Sequence, residues 1–338
     1  MREIQLLPKK DRQLFFDSAV VESGIPFPIL EKDFWVVWTL DRLFSLKELK
    51  THLTFKGGTS LSKIYNIIQR FSEDIDVSIE KEFLGFDRDN DPEKASSKKK
   101  QRAAIDSLAK SCSEYVQGKL LDDLRESISD RLGSVEPWEL TVDTNDPDGQ
   151  TLLFDYPNIT PRNEYIRQSV KIEMGARSEH WPVSEHKIQS YIKQALKEKV
   201  TEAEVLVRVL NAERTFWEKA TILHQYFHLP ENKQLPSRIS RHFYDFHCLL
   251  NSDIREIALA NIELLERVAI HKSIYFSSGW ANYSTARKGT LKLYPPPNIH
   301  DVLEEDYHRM NQMFFGNIPD WKLILETIKT FENEFNSQ

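Results

Sequence analysis

The residues with the clearest chemical pattern lie between Lys56 and Ile79. A short apolar run, Leu53-Thr54-Phe55, leads into Lys56-Gly57-Gly58-Thr59-Ser60. Glycines have no Cβ, so their backbone N–H groups can approach an anion closely. A helix opening at Thr59 or Ser60 turns its unpaired N–H groups and positive end toward that anion, which suits a phosphate. Further on, Asp74 and Asp76 alternate with apolar residues in Asp74-Ile75-Asp76-Val77-Ser78-Ile79. Residues i and i+2 of a strand point to one face. The two carboxylates therefore stand side by side, about 6–7 Å apart at Cα. Hard oxygen ligands at that spacing suit Mg²⁺, which is usually held by one or two carboxylates plus substrate phosphates. A third acid would complete a site in which two metal ions flank an in-line displacement. Glu173 is the candidate, in Ser169-Val170-Lys171-Ile172-Glu173-Met174, where Lys171 and Glu173 share a face. That pair reads equally as a Lys–Glu pair on an exposed strand. A lone diglycine is usually only a turn, and a lone Asp-x-Asp only a strand end. Their order here points to a nucleotide: strand, diglycine, helix, strand, acid pair.

Those residues need elements to hold them. Residues 10–24 and 29–46 read as helices, the second more buried. Leu53–Phe55 reads as a strand, Leu61, Ile64, Ile67 and Ile68 keep helical spacing, and Asp74–Ile79 has the period-two alternation of a strand. Residues 87–102, acidic then basic and without hydrophobic pattern, read as a mobile surface loop. A helix of perhaps 25–30 residues is expected from about Gln101 to Leu132. Residues 137–142, 151–156 and 168–174 look like strands separated by Asp- and Pro-rich turns. From about 186 the chain reads as mostly helical, with one strand-like run at Val205–Leu210. The expected fold class is α+β: an N-terminal mixed sheet flanked by helices, then a mainly α-helical C-terminal lobe. The expected domains are residues 1–200 and 201–338, the second completing the active-site cleft.

Composition narrows the class. The chain has 338 residues, 40% hydrophobic and 29% charged, enough for a sizeable core. No run of 18 apolar residues occurs, so no membrane span is expected, and the N-terminus lacks the apolar region of a secretion signal. Two cysteines, Cys112 and Cys248, fit reduced thiols and a cytoplasmic location. The net charge of −7 does not favour nonspecific nucleic-acid binding, so an RNA substrate would need a local basic patch. Lys94, Lys98, Lys99, Lys100 and Arg102 are such a patch, or merely a solvated surface. His224 and His228 share a helix face, but Gln225 stands where a zinc-protease motif has glutamate. The tryptophans read as core.

The run FKGGTSLSKIYNIIQRFSEDIDVSI resembles the AbiEii/AbiGii-type nucleotidyltransferase toxins, a branch of the DNA-polymerase-β-like superfamily. Leu210–Ala220 (LNAERTFWEKA), Ser240–Phe246 (SRHFYDF) and Glu31–Trp35 (EKDFW) extend the likeness. It implies a nucleotidyltransferase-like N-terminal domain. It also implies nucleotidyl transfer from an NTP to an acceptor, in several members the 3′ end of tRNA, by the toxin of a toxin–antitoxin or abortive-infection system, with an antitoxin encoded alongside. Carried onto this sequence, Lys56, Gly57, Gly58 and Thr59 hold the triphosphate, with Ser60 in the same turn. Asp74 and Asp76 bind metal, taken here as Mg²⁺, with Glu173 joining them only as the candidate that strand alternation nominates. Lys219 contacts phosphate. Asp245 lies near the acceptor or acts as base. Arg241, beside Asp245, counts as nucleotide-binding. Two other readings stay open: nucleotidyl transfer to a protein, and a non-catalytic nucleotide- or RNA-binding module.

Overall fold

The computed structural model describes residues 2–133, 136–159, 168–201 and 204–337. The chain forms two compact units. The first comprises Met1–Ile64 and Phe71–Val209, the second Tyr65–Arg70 and Leu210–Gln338. A six-residue segment of the N-terminal half thus belongs to the C-terminal unit.

In the first unit the strands are β1 (Arg2–Glu3), β2 (Leu53–Lys56), β3 (Asp74–Ile79), β4 (Glu139–Val142), β5 (Thr151–Asp155), β6 (Ser169–Gly175), β7 (Val183–Ile188), β8 (Val200–Thr201) and β9 (Val205–Leu210). Among the described residues, seven form one sheet in the order β4-β5-β6-β3-β2-β9-β7, and β1 pairs with β8 separately. β2 runs antiparallel to β3, while β3 with β6 and β2 with β9 are parallel. The sheet is mixed, as expected. The helices of this unit are α1 (Lys9–Ser23), α2 (Phe27–Phe44), α3 (Gly57–Lys63), α4 (Lys98–Tyr115), α5 (Leu121–Leu132) and α6 (Tyr191–Leu196). One face of the sheet is apolar: Phe55, Ile75, Val77, Val170, Ile172 and Phe154 are all essentially buried. Trp35 and Trp38 of α2 pack on it, with ring centroids 6.0 and 5.7 Å from Phe154. Alternation then puts Lys56, Asp74, Asp76, Lys171 and Glu173 on the opposite face.

Five sequence expectations need correction. The helix after the diglycine ends at Lys63 rather than running through Ile68, and Asn66 takes φ of 51°, which breaks a helix. Residues 87–102 are not a featureless loop. They contain two 3₁₀ turns, Arg88–Asn90 and Pro92–Lys94, held by Lys81 Nζ to Asp91 at 2.7 Å and Glu93 at 2.8 Å, and then open α4. The helix expected to Leu132 is interrupted by a π turn at Val116–Leu120. The polar strand β7, Val183–Ile188, runs into the stretch expected to turn helical at about 186 and lies at the edge of the sheet. Trp181 is an exception to the core reading, at 46% exposure.

The second unit is helical: α7 (Ala212–Phe227), α8 (Ser240–Leu250), α9 (Ile254–Ala260), α10 (Glu263–Tyr275), α11 (His300–Arg309) and α12 (Trp321–Ser337). Its core is aromatic. Phe216 lies 4.9 Å from Trp217, 4.8 Å from Phe246 and 5.7 Å from Phe331. Asp306 of α11 fixes the start of α8, accepting from Ser240 N at 2.9 Å and Oγ at 2.6 Å. The C-terminal residues, motif-free in the sequence, thus bury α7 and α8. Segment 65–70 is stitched in by Tyr65 Oη to Leu210 O (3.1 Å) and by Tyr244 Oη accepting from Gln69 N (3.1 Å).

Candidate active site

The first unit brings together what the sequence placed in a line. Asp76 pairs in register with Lys56 on one side and Glu173 on the other, and Asp74 with Lys171. Register partners on adjacent strands share a face. Asp74, Asp76 and Glu173 therefore form one acidic patch flanked by two lysines. The diglycine stands against it. Gly57 has φ of +81°, and a Cβ there would fall 2.0 Å from Asp76 Oδ2. Only glycine lets the turn lie on that carboxylate. Thr59 and Ser60 are buried and brace the loop. Thr59 donates to Asp74 O at 2.5 Å, and Ser60 Oγ donates to Gly57 O at 2.8 Å. What they offer an anion is backbone N–H at the helix start, not hydroxyl.

Crowding shows in the titration. Burial pushes the Asp76 carboxyl up to about 7. Lys56 opposes this, while Glu173, hydrogen-bonded to it, and Asp74 add to it. Burial, then Glu173 and Glu73, raise Asp74. A crowded, buried acid patch in which Asp76 holds its proton to near neutrality is suited to a divalent cation, and the glycine keeps the approach open beside Asp76. The residues fit Mg²⁺. Yet among the described residues no three His, Cys, Asp or Glu side chains make a ready cage. Lys171 Nζ contacts Glu173 Oε1, so the third acid already has a cation.

The patch is supported from α2. Glu31, Lys32 and Asp33 of α2 are all buried. Lys32 Nζ donates to Ser169 O at the start of β6 (2.5 Å) and lies 3.4 Å from Glu73, next to Asp74. Asp33 pairs with Lys63 at the end of α3 (2.7 Å) and accepts from Tyr191 N (2.5 Å). Glu31 accepts from Ile159 N at 2.5 Å. Three consecutive charges thus pin the elements that carry the diglycine and both acid strands. The only signal was a charged triplet in an otherwise apolar helix.

The remaining sequence candidates lie in the second unit. Asp245 is fully buried. Arg70 grips it through Nε (2.7 Å) and Nη2 (2.9 Å), and Lys219 Nζ donates to its Oδ2 at 2.7 Å. Burial alone would raise this carboxyl, but the two cations outweigh it and hold it well below the usual range. Lys219 Nζ also lies 3.1 Å from His242 Nδ1, and burial, then the charges of Lys219 and Arg241, hold that ring well below the usual imidazole range. Burial lowers the Lys219 ammonium, Asp245 restores part of the loss, and Arg70 and Arg241 lower it further. Two acceptors for three N–H groups leave Lys219 one for a ligand, in a cluster with excess positive charge. Arg70 was missed, although an arginine in the apolar run IIQRF was its signal. His224, by contrast, is committed to Asn282 O and Lys292 N.

The family model for the AbiEii toxin nucleotidyl transferase of type IV toxin–antitoxin systems matches residues 38–333. The chain belongs to the AbiEii family. This AbiEii protein is therefore a nucleotidyltransferase and a toxin of a type IV toxin–antitoxin system, which implies a cognate antitoxin. Among solved structures the chain resembles MenT4, a nucleotidyltransferase toxin from Mycobacterium tuberculosis H37Rv, at 16% identity and TM-score 0.46, covering 98% of this chain and 97% of that one. It also resembles JHP933 from Helicobacter pylori, at 13% identity and TM-score 0.32, covering 89% and 94%. Neither likeness bears on the chemistry. No curated protein sequence shows significant similarity. No helix among the described residues is long and apolar enough to cross a membrane.

Proposed function

We propose that this AbiEii toxin transfers a nucleotidyl group from an NTP to the 3′ end of tRNA, in the cytoplasm, with Mg²⁺ held by Asp74 and Asp76 and, when it is released from Lys171, Glu173. The observation that carries this reading is Gly57 lying against the Asp76 carboxylate, which puts an anion-binding turn beside cation-binding acids. When bound, the metal supplies charge neutralisation on the triphosphate and polarisation of the reacting oxygens. Lys56 and the backbone N–H groups of Gly57, Gly58, Thr59 and Ser60 bind phosphate oxygens and orient the chain of phosphates. In the second unit, Lys219 and Arg241 offer positive charge to a phosphate. The 3′ hydroxyl attacks the α-phosphorus, the α–β bridging bond breaks, and pyrophosphate leaves. The hydroxyl proton passes to the Asp76–Glu173 pair. Asp245, ionised and gripped by Arg70 and Lys219, positions the Lys219 ammonium rather than serving as base; the depressed carboxyl supports that assignment.

The test is incubation with each α-labelled NTP, Mg²⁺ and either total tRNA or total protein. Label on RNA that RNase removes is the expected result. Label confined to protein would replace the tRNA acceptor with a hydroxyl side chain.

A further inference from the structure

Glu173 is engaged in a way a metal-binding carboxylate should not be. Lys171, two residues earlier on the same strand, contacts its Oε1, and Asp76 hydrogen-bonds it from the neighbouring strand. Lys171 also stands directly across from Asp74 in register. Its ammonium therefore lies on the acidic patch itself, with its side chain 29% exposed and that of Glu173 38%. An ordinary surface pair at such exposure contributes little to stability. This one differs because its position is where a cation would otherwise be drawn. Lysine is a point charge on a flexible four-carbon stem, so it can leave without disturbing the sheet, which a forked guanidinium cannot do as readily.

We infer that Lys171 is an internal stand-in cation: it neutralises Glu173 until a divalent ion displaces it, and thereby sets the divalent-ion affinity of the site. The inference rests on the metal reading above and goes beyond it by naming what opposes the metal. It also accounts for three acids on one face failing to form a ready cage. Only the position of the lysine charge matters, so a variant that keeps the charge should keep the weak affinity.

The experiment is titration of the whole protein with Mn²⁺ alone, followed by calorimetry at about pH 8. Lys171→Met, with Lys171→Gln as a second uncharged variant, should bind Mn²⁺ about ten-fold more tightly, as loss of a nearby positive charge predicts. Lys171→Arg, which keeps the charge on a group that leaves less readily, should bind Mn²⁺ no more tightly than wild type. Melting in EDTA confirms that each variant is folded. Equal Mn²⁺ affinity in all four proteins overturns the role of Lys171 and leaves the metal reading standing. No Mn²⁺ binding by wild type or by either uncharged variant overturns both.

Discussion

At residue scale the account turns on Gly57 and Asp76. Gly57→Ala places a methyl where Asp76 Oδ2 sits and asks an L-residue to hold φ of +81°. It should abolish transfer and cost about 1–2 kcal/mol of stability by urea denaturation. Asp76 makes a sharper prediction because its sign is fixed. Its carboxyl rises on folding from 3.8 to about 7, so the folded chain binds more protons than the unfolded one between those values. The contribution of Asp76 to stability is thus present below about 4 and lost as pH rises through about 7. Without divalent ions, Asp76→Asn should melt above wild type at about pH 8 and level with it near pH 4. Mn²⁺ affinity of wild type should rise through the same window, as ligand deprotonation requires. A wild-type melting temperature that climbs from pH 5 to 8 in EDTA would contradict this. In the second unit, Asp245→Asn leaves Arg70 and Lys219 buried without their counter-ion. A loss of about 3–5 kcal/mol is expected.

At the scale of elements, the sequence disclosed the site better than its supports. The strand–diglycine–helix–strand order and the period-two acids were legible because each depends on neighbours in the chain. That Glu173 lies beside Asp76 followed only from strand pairing, which composition does not encode, and the sequence could do no more than nominate it. Helix α3 was read too long because Ile64, Ile67 and Ile68 keep helical spacing. The chain instead turns at Asn66 and delivers Arg70 to Asp245. Strand β7 escaped notice because an edge strand can be polar. The α2 triplet was noticed for its family look, not for its burial. Its role predicts that Asp33→Ala, which removes the buried carboxylate paired with Lys63, costs about 3–5 kcal/mol and lowers transfer although it touches no substrate. Unchanged urea midpoints would remove α2 from the account.

For the whole molecule, the question is how an acidic chain of net charge −7 would meet a polyanion. Lys98, Lys99, Lys100 and Arg102 are exposed on the first two turns of α4, where the helix dipole disfavours cations. If tRNA is the acceptor, charge reversal at Lys98, Lys99 and Arg102 should weaken tRNA use about ten-fold at low salt and much less at high salt, leaving Mn²⁺ affinity unchanged. The proposed transfer centre is one acid pair set against a diglycine turn. Its most direct test is α-labelled NTP with Mg²⁺ and total tRNA, comparing wild type with Asp74→Ala and Asp76→Ala, both checked for folding. Label on RNA from wild type and none from either variant is predicted. Wild-type yields from both variants would contradict it.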